Sequence, residues 1–515
     1  MKGGKIQQAQ CTPPWPALSE FIAQKMGLHF PRERWDDLKR GLAGAAQEFG
    51  FDDTAACIDW LLAKPPTPTQ LQVLASHLTI GETYFFRDPQ TLEALAGTIL
   101  PELIRARRGR EQRLRIWSAG CCSGEEPYSL AILLHQALPD LPDWQVTITA
   151  TDINRQFLHK AVAGVYGEWS FRNAPEGLKE RYFTRTAEGR YAIVPQIRKL
   201  VNFEHLNLAQ DAYPSLGTDT NAMDLIFCRN VLMYFTPQQT RTVIGKLRHS
   251  LLEGGWLVVS PSEASHALFP QFLTVNFPGA ILYQKSAATS PATLRPEPQW
   301  VPEPVGELAG HVAPESDAAA PWWLPPAAAA PADPPPAAPP EQPAPVETAL
   351  TPAAVAQALY QQGLYSQVVD TLLAALAEHA PGPPAFSLLA RALANQGRLA
   401  DALAWCERWI AADKLDSSAH YLRAVILLEQ GDFGQARTSL QRATYLEPGF
   451  VLAHFSLGNL ARRRGHHGES DKHFANSLQL LQRYQADDLL PESDGLTAGR
   501  LTETITSMTA LETSP

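Results

Sequence analysis

The sequence predicts an α/β protein with a helical repeat array at its C-terminal end, and three observations carry that prediction. Short apolar runs at 114–118, 146–151, 201–206, 224–228 and 256–260 alternate with amphipathic helical stretches, the rhythm of a doubly wound sheet. A small-residue loop, Gly120-Cys-Cys-Ser-Gly124, joins the first of these runs to a helix. Glycines recur at 363, 397, 431 and 465, each 34 residues apart.

Composition bounds the function. A chain of 515 residues holds roughly two to four domains. Its net charge of -10 argues against general nucleic-acid binding, which needs a basic surface. The cysteines at 11, 57, 121, 122, 228 and 406 lack any C-x-x-C spacing, so neither a zinc framework nor a disulfide scaffold is expected, and no metal site is assigned. With no apolar signal core and no apolar run of membrane length, a cytoplasmic protein is expected.

Residues 1–85 read as a helical domain. Leu18, Phe21, Ile22 and Met26 give one amphipathic face, and Trp35, Leu38, Leu42 and Ala45 another. The stretch Thr79-Ile-Gly-Glu-Thr-Tyr-Phe-Phe-Arg-Asp88 supports two readings. Its aromatics can pack on a flat purine and its Arg can fork onto a carboxylate, or it is an aromatic hinge between helical layers. The arginines between 105 and 115 read as a solvated helix end and loop.

The α/β domain spans 86–285. Leu114, Ile116 and Trp117 form its first strand, and the helix after the glycine loop runs to about Leu138. A glycine loop between strand and helix lets backbone approach a ligand closely, and Asp152, ending the second strand, can accept hydrogen bonds from ribose hydroxyls. A nucleoside site and a plain βαβ unit both fit these residues. Ser123-x-x-Glu126 has capping-box spacing. Residues 164–200 break the rhythm with scattered aromatics and a turn at Glu188-Gly-Arg190, predicting a small antiparallel β insertion. Runs 272–275 and 281–284 close the sheet as an antiparallel pair.

Residues 286–350 read as a Pro/Ala-rich disordered linker, with 17 of the chain's 43 prolines between 291 and 350. From 351 to 484 the 34-residue period, small residues at 390, 402, 424 and 436, and a closing Pro448 match tetratricopeptide repeats, an α-helical solenoid that offers a groove to a protein partner. Residues 485–515 read as a flexible tail.

Taken together, residues 18–285 resemble the CheR family of chemoreceptor glutamate methyltransferases. The likeness rests on Glu82-Thr-Tyr-Phe-Phe-Arg-Asp88, Trp117-Ser-Ala-Gly-Cys-Cys-Ser-Gly-Glu-Glu-Pro-Tyr-Ser-Leu-Ala131, Ala150-Thr-Asp-Ile153, Asn207-Leu208, Ile226-Phe-Cys-Arg-Asn-Val-Leu-Met-Tyr-Phe235 and Ser262-Glu263. The resemblance implies a Rossmann-like methyltransferase domain using S-adenosylmethionine, with S-adenosylhomocysteine as product and a receptor glutamate as acceptor. Carried over by position, Thr83 and Arg87 belong to the cofactor segment, with Gly81 standing where some members have Asn. Glu125 is the loop carboxylate facing the cofactor, and Glu126 is left to the helix cap. Asp152 is the ribose or adenosine acid, Asn207 and Leu208 flank adenine, and Arg229 with Asn230 lie under the methionyl part. No acid–base pair is implied, though Tyr234 could border the reacting carboxylate. The resemblance also implies that the β insertion faces the receptor. The alternatives are a non-catalytic repeat scaffold with a degenerate cofactor site, or a methyltransferase acting on a small molecule or nucleic acid.

Overall fold

The computed structural model of the chain describes residues 14–286, 351–378 and 383–510. The expected linker therefore lies, but for its first residue, outside the described residues.

Ten strands form two sheets: β1 (Arg113–Ala119), β2 (Gln145–Asp152), β3 (Val165–Tyr166), β4 (Phe183–Arg185), β5 (Tyr191–Ile193), β6 (Val201–His205), β7 (Met223–Phe227), β8 (Leu251–Val258), β9 (Leu273–Phe277) and β10 (Ala280–Gln284). The large sheet has the order β6-β2-β1-β7-β8-β10-β9. Its first five strands are parallel, and β10 runs antiparallel to both β8 and β9. β1 is buried along its whole length, as a central strand covered on both faces must be. The chain leaves β1 in one direction through β2 and β6, and returns to its other side with β7 and β8. That reversal opens a crevice at the carboxyl ends of β1 and β7. The β insertion is present as the small antiparallel sheet β3-β5-β4.

Among the described residues the chain opens on the α-helices Trp15–Met26, Trp35–Glu48, Thr54–Ala63 and Pro68–Leu78, and Pro89–Ala94 with Leu100–Arg107 then lead into β1. The first four share a core of Leu18, Ile22, Leu38, Leu42, Ile58 and Leu74. Asp53 caps the third helix through the amides of Ala55 and Ala56, and Thr67 with Gln70 forms a capping box on the fourth.

The repeats are four helix pairs: Pro352–Gln361 with Tyr365–Glu378, Pro383–Asn395 with Leu399–Ala412, Ser417–Glu429 with Phe433–Leu446, and Val451–Arg463 with His467–Leu481. Ala390, Ala402, Ala424 and Ala436 are fully buried where helices meet. The periodic glycines sit in the turns within each pair at φ between +70° and +79°, a left-handed conformation that a side chain resists.

Three of these turns press on the methyltransferase-like domain at the amino ends of its strands. A Cβ on Gly363 would meet the His249 ring, one on Gly397 would meet Leu252 and Arg113, and one on Gly431 would meet Gln145. Beside them Glu429 is buried with Arg113 at 3.4 Å, Arg115 at 3.9 Å and Asn221 Nδ2 donating at 2.8 Å, while Gln145 donates to its backbone carbonyl at 2.7 Å. This corrects the reading of the arginine cluster as solvated for Arg107, Arg113 and Arg115, while Arg105, Arg108 and Arg110 are exposed as expected. Arg113 and Arg115 are each 3% exposed, Arg107 pairs with buried Asp224, and Arg108 pairs with Asp140. Sequence alone could not place a partner more than three hundred residues away.

The tail also departs from expectation. Within residues 485–515 the chain forms a helix, Ala498–Ala510, with Leu501 and Ile505 buried one turn apart in the repeat core. Ahead of it, Glu492 and Asp494 pair with Arg391 on the first helix of the second repeat pair. A buried guanidinium needs such partners, and the tail supplies them.

Replacing Glu429 by Ala leaves Arg113 and Arg115 with only the more exposed carboxylates of Glu111 at 3.5 Å and Asp219 at 3.8 Å, a loss of up to about 3–5 kcal/mol for a broken buried pair. A lowered thermal midpoint and faster proteolysis between the two halves are expected, and an unchanged midpoint would show that this cluster does not hold them together.

Candidate functional site

The crevice at the carboxyl ends of the strands holds a cavity. Its floor is the loop after β1. Gly120 has φ +87°, and a Cβ there would lie 2.4 Å from Val231 Cγ2, so the loop requires glycine to pass under the β7 loop. The amides of Gly120 and Cys121 donate to the Thr151 carbonyl at 2.7 and 2.9 Å, tying β1 to β2.

Asp152 ends β2 beneath this loop. One carboxylate oxygen accepts from the Cys122 amide at 2.9 Å and the other from the Asn154 amide at 2.8 Å. Each oxygen keeps a second lone pair for a ligand hydroxyl. Burial raises the Asp152 carboxyl to about 6, against the pull of those amides.

After β7 the backbone of Asn230 is left-handed at φ +58°. Glu263 pins it there, accepting from the amides of Asn230, Val231 and Met233 at 2.7, 2.8 and 3.2 Å. Arg229, 7% exposed, lies between Asp88 at 3.4 Å and Glu126 at 3.3 Å. Burial raises the Glu126 carboxyl and Arg229 opposes the rise. Arg87, the other arginine lining the cavity, donates to the Glu82 carbonyl at 2.8 Å and is in no ion pair among the described residues. Its guanidinium stays available for an anionic group.

Thr83, Arg87, Asp152, Asn207, Leu208, Arg229 and Asn230, all expected to be site residues, line this one cavity, and so does Tyr234. Gly81 and Glu125 do not. A Cβ on Gly81 would lie 2.5 Å from the Phe157 ring, so its role is to let that ring approach. Glu125 points to the β insertion, accepting from Ser123 Oγ at 2.8 Å and Ser170 Oγ at 3.0 Å.

Glu126 lines the cavity, whereas the expectation gave Glu125 to the cofactor and Glu126 to the helix cap. The capping box does not form either. The N-cap is Gly124, with no side-chain cap, and Glu126 accepts from Ser118 Oγ at 2.7 Å. Of the three adjacent aromatics, Tyr84 lines the cavity while Phe85 turns away from it. Phe85 is fully buried, stacked on Phe171 and edge-on to Tyr166 and Phe183. It is a hinge residue, and Tyr84 and Phe157 are the aromatics that line the cavity beside Tyr234 and Phe235. Met26 and Leu28 from the helical domain complete the wall and carried no local signal in the sequence.

The thiols of this region are not reactive groups. Burial, with nearby Asp152 and Glu125, pushes Cys122 up to about 12, and burial with Asp152 raises Cys121 well above the usual thiol range. Among the described residues no group of three His, Cys, Asp or Glu side chains could hold a metal ion, and no helix is long and apolar enough to cross a membrane.

A parallel sheet with a glycine floor, an acid ending β2 and a free guanidinium defines a nucleoside-binding α/β protein of the methyltransferase class. Comparison with known proteins gives the family. Residues 81–276 match the family described as CheR methyltransferase, SAM binding domain, and residues 354–417 and 421–487 match tetratricopeptide repeats. Chemotaxis protein methyltransferase 1 of Pseudomonas aeruginosa is 39% identical over 41% of this chain and 77% of its own length. Chemotaxis protein methyltransferase Cher2 of Pseudomonas putida is 34% identical over 51% of this chain and 94% of its own. The probable biofilm formation methyltransferase WspC of Pseudomonas aeruginosa is 30% identical over 81% of this chain and 86% of its own, a span that takes in the repeats. The chain belongs to the CheR methyltransferase family, and it is an S-adenosylmethionine-dependent enzyme with tetratricopeptide repeats appended. The cavity fits that cofactor: Arg87 offers a cation to a carboxylate, Asp152 an acceptor to hydroxyls, and the glycine floor leaves room for close approach.

Two outcomes follow. Ligand hydroxyls bond best to the ionised Asp152 carboxylate, so affinity for S-adenosylhomocysteine falls as pH drops through about 6. Asp152→Asn weakens binding roughly tenfold at pH 8, the loss of a charge-assisted hydrogen bond, and flattens the profile. Calorimetry between pH 5 and 8 measures both. In the same assay Glu126→Ala weakens affinity more than Glu125→Ala does, and the opposite order would return Glu125 to the cofactor.

Proposed function

We propose that this enzyme methylates glutamate side chains on the cytoplasmic part of a chemoreceptor, giving methyl esters that adapt a chemosensory pathway, and that its repeats recruit a protein partner. The observation that carries the reading is one cavity that combines a free guanidinium, a buried acid and a glycine floor. The similarity to receptor-pathway methyltransferases supports it, and so does the match through the repeats to a relative named for biofilm formation.

S-adenosylmethionine, when bound, supplies a methyl group on a positive sulfur. In this reading Thr83 and Arg87 hold its carboxylate and Asp152 its ribose. Asn207 and Leu208 flank its adenine, while Arg229, Asn230 and Glu126 border the methionyl part. A glutamate acceptor has an ordinary pKa of about 4.3, so it reaches the site as a carboxylate and the chain needs no general base. What the chain supplies is orientation, worth up to about 7–11 kcal/mol, and a closed, dry site. Tyr234 borders the acceptor side; burial raises its hydroxyl, which keeps it a neutral hydrogen-bonding group. The β insertion faces the receptor, and the reaction takes place in the cytoplasm.

Incubation with tritiated S-adenosylmethionine and receptor-enriched membranes tests the proposal. Base-labile label on a receptor is expected. Label on RNA or on a small molecule, or none with the cofactor bound, would contradict it.

A further inference from the structure

The helix Ala498–Ala510, beyond the repeats, packs behind residues of the cavity wall. Leu501 and Ile505 seat it in the repeat core. Its charged residues meet the other domain. Arg155, on the helix after β2, donates to the Glu503 carbonyl at 3.3 Å, and Arg500 Nη1 donates to Glu503 at 2.8 Å. The other end of the Arg500 guanidinium, Nη2, lies at the end of β6. It pairs with Asp211 at 2.8 Å, donates to the His205 carbonyl at 2.9 Å, and touches His205 Nδ1.

Both partners lead to cavity residues. Asp211 accepts from the Asn207 amide at 2.6 Å, and Asn207 also donates to the Lys25 carbonyl at 2.8 Å. His205 Nε2 lies 2.8 Å from the Ile153 carbonyl. With Arg500 donating to Nδ1, the proton sits on Nε2 and the ring donates to Ile153. Burial and the facing Arg500 and Arg155 hold this imidazole neutral. Asn207 and Ile153 both line the cofactor cavity.

We propose that Arg500 is a positioning residue for the cofactor cavity: from the helix after the repeats it fixes Asn207 through Asp211 and Ile153 through His205. Its planar fork spans Glu503 through Nη1 and Asp211 with His205 through Nη2, fixing the orientation of the second nitrogen more tightly than a flexible lysine ammonium does. The helix beyond the repeats therefore supports the cofactor cavity from outside it. The inference rests on the reading that S-adenosylmethionine binds in this cavity with its adenine beside Asn207.

Calorimetry of S-adenosylhomocysteine binding to the full chain tests it. Arg500→Ala is expected to weaken affinity roughly three- to thirtyfold, as mutations along a coupled network do. Arg500→Lys falls between, and Asp211→Asn reproduces the loss. The Arg500→Ala/Asp211→Asn double variant loses less than the two singles combined. Glu429→Gln, which loosens the distant contact between the two halves, is expected to leave affinity within about twofold. Wild-type affinity in both Arg500→Ala and Asp211→Asn would overturn the inference, as would an equal loss in Glu429→Gln. If Arg500→Ala does not fold, Asp211→Asn and Arg500→Lys decide alone. Asp152→Asn separates the two levels. If it too binds normally, the cofactor is not in this cavity; if it binds weakly while Arg500→Ala binds normally, only the role of Arg500 falls.

Discussion

The site depends on one buried guanidinium. Arg229 follows β7, yet its partners are Asp88, from the segment entering the α/β domain, and Glu126, from the first turn after β1. Thr91 Oγ1 and Ser118 Oγ complete the two carboxylates with hydrogen bonds at 2.7 Å each. Three stretches far apart in sequence thus meet on one cation at the sheet's switch point. Two acids and a base buried together are costly unless every partner is present, so the network enforces a single arrangement of the loops. Glu263 acts alongside it by holding the left-handed Asn230 turn through backbone amides.

The same economy of position governs the two halves of the chain. The repeats take the amino ends of the strands, where Glu429 meets Arg113 and Arg115, and so leave the carboxyl ends open for chemistry. Three of the four glycines that make the repeat turns, Gly363, Gly397 and Gly431, also lie against the α/β domain. One turn conformation serves both purposes, because a chain without Cβ can bend left-handed and can also approach another surface closely. The C-terminal segment then runs from Arg391, inside the repeats, to Arg155 and His205 at the rim of the cavity. A partner using that face of the repeats has to contend with the chain's own Glu492 and Asp494.

Legibility in the sequence followed locality. Strand positions, the β insertion and the 34-residue repeat all rest on periodicities within a few dozen residues, and they could be read directly. Asp152 and Asn230 could be read because each sits in a motif at or just past the end of a strand, and Arg87 because it belongs to the Glu82–Asp88 motif. The twin glutamates could not be apportioned, since Ser123 and Glu126 have capping-box spacing while the left-handed Gly124 turns the helix start another way. Phe85 could not be told from a purine platform until its ring was seen against Phe171. Contacts across the fold, such as Glu429 with Arg113 or Arg500 with Asp211, leave no mark on either local stretch. An amphipathic pair at Leu501 and Ile505 was the one available sign that the tail folds.

Backbone hydrogen exchange, read by mass spectrometry with and without S-adenosylhomocysteine, tests most directly that this cavity is the cofactor site. Slowed exchange is expected in residues 79–88, 120–124, 152–157, 206–208 and 229–235, with the repeat turns at 397 and 431 unchanged. Slowed exchange confined to the repeats, or ligand binding with no change in those five segments, would contradict the account.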